Sequence, residues 1–131
     1  MITVDNKELL MTAKEAMNNA YAPYSKFKVG AAILTDAGVF TGCNVENASY
    51  GATICAERTA AVKAVSEGVV KFNKIAIVSS EGRYTYPCGM CRQFLSEFMT
   101  EDAVVIVEDI DEGVKEIKFS DILPYSFSLD V

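Results

Sequence analysis

Two short segments of this sequence, Cys55-Ala56-Glu57-Arg58 and Pro87-Cys88-Gly89-Met90-Cys91, decide how the chain is expected to fold. Each lies where a predicted helix begins after a loop. In open α/β sheets the N-termini of such helices meet at one rim of the sheet, and their partial positive charge stabilises thiolates. The two segments therefore predict an α/β fold in which cysteines from separate parts of the chain come together.

The elements around these segments alternate without repeats or a linker. Residue spacing, turn residues and the N-cap candidate Asp5 predict, in order, a helix over residues 9–20, strands over 29–34 and 39–44, a helix over 55–66, a strand over 75–78, a helix over 87–99, and strands over 104–107 and 117–119. About nine residues separate the last two strands, too few for a crossover helix, so this pair is expected to be antiparallel. The pattern predicts a three-layer α/β fold, a mixed five-stranded sheet with helices on both faces.

Length and composition limit the class of protein. Half of the 131 residues are apolar, so residues 1–131 are expected to form a single domain. Twelve basic against eighteen acidic residues give a net charge of −6, and no basic cluster occurs, so nucleic acid is not an expected partner. The apolar runs are too short to span a bilayer and the N-terminus lacks a signal-peptide pattern, which predicts a cytoplasmic protein without a membrane partner.

Cys55, Cys88 and Cys91 have the properties of an open metal site. Cys88 and Cys91 are three residues apart and therefore share one face of a helical turn, while Cys55 approaches from the other helix. Three thiolates leave the fourth position of a tetrahedral zinc free for water, and Glu57, two residues from Cys55, is placed to move protons. The chain contains no histidine, so the ligands would all be thiolates.

Other interpretations of the cysteines remain open on spacing alone. Cys88 and Cys91 form a Cys-x-x-Cys pair that also occurs in thioredoxin-like redox sites, although this would leave Cys55 and Glu57 without a role. A closed structural zinc site would need a fourth ligand, either Cys43 or a carboxylate. Cys43 lies at the end of a predicted strand and is expected to be a small buried residue without a chemical role.

Two further segments accompany the cysteine motifs, residues 21–32 (Tyr-Ala-Pro-Tyr-Ser-Lys-Phe-Lys-Val-Gly-Ala-Ala) and residues 42–48 (Gly-Cys-Asn-Val-Glu-Asn-Ala). With them, the sequence resembles the zinc-dependent cytidine deaminases, specifically the small three-cysteine type. The four segments occur in that family's order and cover most of the chain. The resemblance implies a cytidine deaminase-like fold and one Zn²⁺ per chain, held by Cys55, Cys88 and Cys91.

The resemblance also implies a reaction. Glu57 would take a proton from the zinc-bound water and pass it to N3 of the pyrimidine, the resulting hydroxide would attack C4, and ammonia would leave. Cytidine would become uridine, and deoxycytidine would become deoxyuridine, a step of pyrimidine nucleoside salvage. Arg58 and Gln93 match positions that neutralise the thiolates.

Substrate contacts follow from the same resemblance. Phe27 would lie against the base and the N–H of Ala56 would meet the ring carbonyl. Asn44 and Glu46, in the run Asn44-Val45-Glu46, would bind the ribose 3′-hydroxyl. An amide, a carboxylate and a phenyl ring suit a neutral nucleoside, and Glu46 would repel a phosphate.

The assembly and the C-terminus form the last part of the resemblance. Family members of this size are homotetramers with active sites at subunit interfaces, and Tyr50 and Phe127 resemble residues that contribute to a neighbouring site. Tyr125 stands where the family usually has glycine, so a side chain must be accommodated at that boundary.

Two alternative functions differ from cytidine deamination. Blasticidin-S deaminase shares the three-cysteine site and acts on a cytosine nucleoside antibiotic, but its pocket lacks the Asn-x-Glu-Asn run present here at residues 44–47. In the non-enzymatic alternative zinc only holds the fold, which the intact Glu57 argues against.

Overall fold

The computed structural model describes residues 4–129 of the chain. The elements are α1 (Asn6–Met17), β1 (Val29–Thr35), β2 (Gly38–Cys43), a short 3-10 helix (Tyr50–Ala52), α2 (Ala56–Ser66), β3 (Phe72–Ser79), α3 (Gly89–Leu95), β4 (Met99–Asp109), β5 (Gly113–Lys118) and α4 (Phe119–Ile122). The five strands form one sheet in the order β2-β1-β3-β4-β5. β3 and β4 are parallel and the other three pairs are antiparallel, including the last pair, as expected.

One face of the sheet is covered by α1. The side chain of Asp5 caps this helix by accepting a hydrogen bond of 2.8 Å from the N–H of Glu8, which confirms the predicted helix start. Leu9, Leu10 and Ala13 are buried against alternate residues of β1, β3 and β4. The helix lies so close to β1 that a Cβ at position 30, now glycine, would stand 2.7 Å from the N of Met17.

The opposite face carries α2 and α3 over the larger part of the core. The four alanines of α2 that face the sheet are fully buried, namely Ala56, Ala60, Ala61 and Ala64. Their small side chains let the helix backbone approach β2 closely. With helices on both faces, the mixed five-stranded sheet makes the three layers that the sequence predicts.

The ends of several elements differ from the sequence prediction. The helix expected over residues 87–99 ends at Leu95, and Met99 already belongs to β4. The reason is tertiary: the N–H of Phe72 donates to the carbonyl of Phe98, and the two rings lie 5.3 Å apart, so the chain turns here into the sheet. The strand expected over residues 117–119 covers Gly113–Lys118 instead, and Phe119 starts the unpredicted α4.

The first helix ends at Met17, whereas apolar spacing extends it to residue 20. Between residues 4 and 129, no helix has both the length and the apolar character needed to cross a bilayer.

Candidate metal centre

The three predicted cysteines meet at the rim of the sheet where β2 and β3 end. Cys55 is the residue before α2, Cys88 the residue before α3, and Cys91 lies in the first turn of α3. Their Sγ atoms lie within 4.8 Å of one another, with 3.8 Å between Cys55 and Cys88 and 3.4 Å between Cys88 and Cys91. Sulfurs this far apart are free thiols, because a disulfide bond is about 2.05 Å long.

The geometry of the thiols suits zinc. A tetrahedral zinc with bonds of about 2.3 Å to sulfur holds its sulfur ligands about 3.8 Å apart, close to the separations found here. Within the described part of the chain this cluster has three members, and Cys43 is not one of them. Three protein ligands leave one position open, which is the arrangement of a catalytic site and not of a closed structural one.

The charge of the cluster is concentrated on Cys55. A hydrogen bond from the Cys91 thiol, together with the Arg58 guanidinium, lowers the pKa of Cys55 to about 5. The same hydrogen bond and burial raise the pKa of Cys91. Arg58 places Nη2 3.7 Å from Sγ of Cys55 and 3.3 Å from the carbonyl oxygen of Thr53. The guanidinium therefore lies where it offsets thiolate charge.

Glu57 is a buried carboxyl group beside these thiols. Only 4 % of the residue is exposed, and burial raises its pKa to about 7, with a further contribution from the negative charge on Cys55. A carboxyl group with a pKa near neutrality can both take up and release a proton. Cys55 directly precedes α2 and Glu57 is the second residue of the helix, so the start of one helix positions a thiol of the cluster and a carboxyl group that can carry a proton.

A cavity of about 210 Å³ opens beside the cluster, and its lining includes Phe27, Asn44, Ala56, Glu57, Cys55 and Cys88. Asn44 holds the wall in place, because its side-chain oxygen accepts from the N–H of Val29 at 2.9 Å and its side-chain nitrogen donates to the carbonyl of Phe27 at 2.8 Å. Sequence reasoning missed four other lining residues, namely Val29, Thr53, Thr85 and Tyr86.

Glu46 and Tyr50 line an adjoining cavity of about 290 Å³, which shares Thr53 with the first. The carboxylate of Glu46 accepts hydrogen bonds from the backbone N–H groups of Tyr24 and Ser25, each at 3.1 Å, and from the Ser25 hydroxyl. These bonds, led by that of the Ser25 hydroxyl, lower the pKa of Glu46, so the carboxylate is ionised at neutral pH. Glu46 thus fixes the loop that precedes Phe27.

The remaining predicted residues lie outside both cavities. The N–H of Val45 donates to the carbonyl of Ile54 at 2.9 Å, and its side chain is exposed. The side chain of Gln93 donates to the carbonyl of Phe127 at 3.1 Å, and both residues line a separate cavity near the C-terminus. The structure therefore brings Gln93 to the C-terminal segment, while Arg58 is the side chain that contacts a thiol.

Known proteins are similar to this chain in sequence and in fold. A family model described as "Cytidine and deoxycytidylate deaminase zinc-binding region" matches residues 3–107. The cytidine deaminase of Sporosarcina psychrophila is 42% identical over 126 residues, covering 95% of this chain and 93% of the relative. The cytidine deaminase of Halalkalibacterium halodurans is 44% identical over 128 residues, covering 97% of each. The crystal structure of cytidine deaminase from Burkholderia pseudomallei superposes with a TM-score of 0.88 at 43% identity, covering 95% of this chain and 100% of that one.

With the three-thiol cluster, these similarities define an α/β zinc-binding domain of the deaminase class. The chain belongs to the cytidine and deoxycytidylate deaminase family. The expected fold is thereby confirmed, and the cofactor is zinc, for which Cys55, Cys88 and Cys91 provide one site per chain.

Proposed function

We propose that this protein is a cytidine deaminase, which hydrolyses cytidine and deoxycytidine to uridine and deoxyuridine and releases ammonia. The observation that carries the proposal is the buried carboxyl group of Glu57, which lines the same cavity as the thiols of Cys55 and Cys88. A group that moves protons beside an open metal site is what the hydrolysis of an aromatic amine requires.

In the proposed mechanism Cys55, Cys88 and Cys91 hold the zinc. When bound there, zinc supplies Lewis acidity, which lowers the pKa of water at its open position. Glu57 takes a proton from the attacking water and passes it to N3 of the ring while the water oxygen bonds to C4. Glu57 then takes the proton of the new C4 hydroxyl and delivers it to the amino group, so that the C4–N bond breaks, ammonia leaves and the C4 carbonyl of the product forms.

A ring and a backbone N–H group are available for the base. Phe27 supplies an apolar surface, and Asn44 keeps its loop in place. The N–H of Ala56 lies at the start of α2, where helix N–H groups lack intrahelical acceptors, so it is suited to donate to the ring carbonyl. Arg58 and Gln93 are proposed to temper the thiolate charge, with direct support only for Arg58, through its contact with Cys55.

The sugar is proposed to occupy the adjoining cavity, with Asn44, Val45 and Glu46 near the 3′-hydroxyl. Thr53 lines both cavities, which supports a ligand that extends from one into the other. The ionised carboxylate of Glu46 disfavours a phosphate there, so free nucleosides are the proposed substrates and nucleotides or nucleic acids are not.

The active protein is proposed to be a homotetramer with its sites at subunit interfaces. Tyr50 is 81% exposed and Phe127 69% exposed, and aromatic side chains of this size favour interfaces. Phe127 lines a cavity apart from the zinc site of its own chain, which is compatible with a role in a neighbouring one. A single catalytic domain over residues 1–131 and a cytoplasmic location, where thiols stay reduced, complete the proposal.

The replacement Glu57→Gln tests the proposal. The variant should retain about one zinc per chain and lose cytidine deamination by at least a factor of about 100, since the amide cannot carry the proton. Glu67→Gln, which changes an exposed carboxylate at the far end of α2, is the matched control and should leave the rate unchanged.

The assay follows the loss of cytidine absorbance and the release of ammonia, with zinc measured on the same samples. A Glu57→Gln variant that deaminates at the parent rate would show that the catalytic assignment is wrong. Deoxycytidine, cytosine, cytidine monophosphate and blasticidin S are tested in parallel. A preference for the monophosphate contradicts the role of Glu46, and a preference for blasticidin S replaces the proposed substrate.

A further inference from the structure

Tyr86 forms part of the cavity wall, yet it belongs to a segment without regular secondary structure. Residues 84–88 lie between β3 and α3 and carry Thr85, Tyr86 and the ligand Cys88 in sequence. Tyr84 packs against the core, whereas Tyr86 is 39% exposed. Because an exposed loop side chain samples several rotamers, the position of this wall depends on what holds the Tyr86 ring.

Lys115, on the edge strand β5, contacts both tyrosines. Its Nζ lies 5.5 Å from the centroid of the Tyr84 ring and 5.7 Å from that of Tyr86, and it donates to the Tyr86 hydroxyl at 3.3 Å. The two rings are 6.3 Å apart. Between residues 4 and 129 no carboxylate lies within salt-bridge distance of Lys115. The tyrosines are therefore the partners that this ammonium group has in the structure.

The strand register directs Lys115 toward this side of the molecule. Lys115 is paired with Val107, and Ile117 with Val105, on the sheet face that α2 and α3 cover. Lys118 is paired with Val104 and lies on the opposite face, where α1 packs. β5 thus carries two lysines, Lys115 and Lys118, that lie on opposite faces of the sheet.

We propose that Lys115 is a positioning residue of the nucleoside site, acting through Tyr86. The ammonium group holds the Tyr86 hydroxyl by a hydrogen bond while it also makes a cation–π contact with Tyr84, and the fixed Tyr86 ring forms a wall against which the substrate binds. This inference rests on the proposed function. Lys115 touches neither the thiols nor the cavity, so its effect falls on the affinity for the nucleoside and not on the chemical step.

Steady-state kinetics with cytidine test the proposal. Loss of a cation–π contact at an exposed site changes an equilibrium constant by about two- to fivefold, so Lys115→Met should raise KM by that factor with kcat unchanged. Lys115→Arg keeps the positive charge and the donor, and should restore a KM close to that of the parent. Lys118→Met removes the same charge from the other face and should leave KM unchanged.

A double-mutant cycle shows whether Lys115 acts through Tyr86. Tyr86→Phe keeps the ring but removes the hydroxyl that accepts from Lys115, and should raise KM in the parent but cause no further rise in Lys115→Met. A parent-like KM in Lys115→Met, an equal rise in Lys118→Met, or independent effects of the two changes would overturn the proposal.

A readout independent of catalysis separates this inference from the proposed function. In the parent, the ring current of Tyr84 should shift the ε-CH2 resonances of Lys115 upfield, and Tyr86→Leu, which removes the hydroxyl that holds the ammonium group, should reduce that shift. Calorimetric titration with uridine then measures product affinity without turnover. A parent that deaminates cytidine while Lys115→Met binds uridine as tightly as the parent refutes the inference alone. A parent that neither deaminates cytidine nor binds uridine refutes both.

Discussion

Adding one methyl group at Gly42 should displace the first turn of α2 and, with it, the zinc ligand Cys55. A Cβ at this position would stand 2.6 Å from the carbonyl oxygen of Ala56 and 2.9 Å from Cβ of Thr59, and closer still to the N of Ala60. All three atoms belong to the helix that Cys55 precedes. They cannot rotate out of the way, because two are backbone atoms and the third is fixed to the backbone.

The size of the effect follows from these distances. To reach an ordinary contact of 3.4 Å, the Ala56 oxygen must move about 0.8 Å away from β2. Overpacking of this kind costs about 1–3 kcal/mol, whereas the lower chain entropy of alanine in the unfolded state returns only about 0.4–1 kcal/mol. The free energy of the clash exceeds the entropic gain, so we expect Gly42→Ala to lose about 2 kcal/mol of stability, or about 8 °C in Tm.

The functional cost should exceed the loss of stability. Because Cys55 and Glu57 move with the start of α2, both shift by a large fraction of 1 Å relative to Cys88 and Cys91 at the start of α3. A displacement of about 1 Å can lower a catalytic rate by about 100-fold. We therefore expect weaker zinc binding and at least a tenfold loss of kcat at temperatures where the variant is still folded.

Gly30→Ala is the matched control on the other face of the sheet. Its Cβ would stand 2.7 Å from the N of Met17 in α1, so it should destabilise the protein comparably, yet α1 carries no zinc ligand. Zinc affinity is measured by competition with a chromophoric chelator, and stability by calorimetry. If Gly30→Ala weakens zinc binding as much as Gly42→Ala does, or if Gly42→Ala melts with the parent, the reasoning is refuted.

Three further outcomes are expected. Chelation of zinc should lower Tm and abolish deamination, because zinc binds the folded chain preferentially. Added Zn²⁺ but not Mg²⁺ should restore both Tm and deamination. Unchanged Tm and activity after chelation would contradict the metal assignment. The pKa of Asp109 lies below its ordinary value of 3.8, because its carboxylate accepts from the backbone N–H groups of Asp111 and Glu112 and lies beside the guanidinium of Arg83. The ionised carboxylate therefore stabilises the fold above that pH, and this contribution is lost as pH falls through the lowered pKa. Asp109→Asn should therefore be less stable than the parent at pH 7 in urea titrations, and the difference should shrink as pH falls below 3.8 through the lowered pKa. A difference that does not shrink on acidification would assign the effect to packing. Tyr125 has φ of 54° and an exposed side chain, so Tyr125→Gly should stabilise the chain by up to about 1 kcal/mol in the same assay, and a loss of stability would show that the tyrosine ring is buried in the assembly.

The zinc ligands could be predicted from the sequence because their spacing encodes their geometry. Cys88 and Cys91 share a helical turn whatever the rest of the fold does, and Cys55 starts a helix that packs on the same face of the sheet. The open-site interpretation also needed Glu57 to lie beside the thiols, and the structure places it in their cavity. Local spacing predicted that these residues meet, whereas the choice of an open zinc site over a redox pair or a closed structural site depended on the neighbouring residues and the resemblance to the deaminases.

The cavity wall could not be predicted in the same way. Thr53, Thr85 and Tyr86 lie in loops that have no periodic pattern, and they meet Phe27 only because the sheet order brings distant loops together. The early end of α3 has a similar cause, since contacts between Phe72 and Phe98 override the helical spacing. The roles proposed for Tyr50 and Phe127 depend on a second chain, and such roles are not encoded in any local pattern.

The small residues of α2 and β2 are functional because of where the helix begins. Gly42 and the buried alanines of α2 let the helix backbone lie against the sheet, and the start of that helix carries the zinc ligand Cys55 and the proposed proton carrier Glu57. On the other face, Gly30 permits an even closer approach by α1, but that helix carries no zinc ligand. A glycine that lets a helix pack closely on the sheet therefore affects the zinc site only at position 42, because only the distance between α2 and β2 sets the position of Cys55 and Glu57 relative to the thiols at the start of α3.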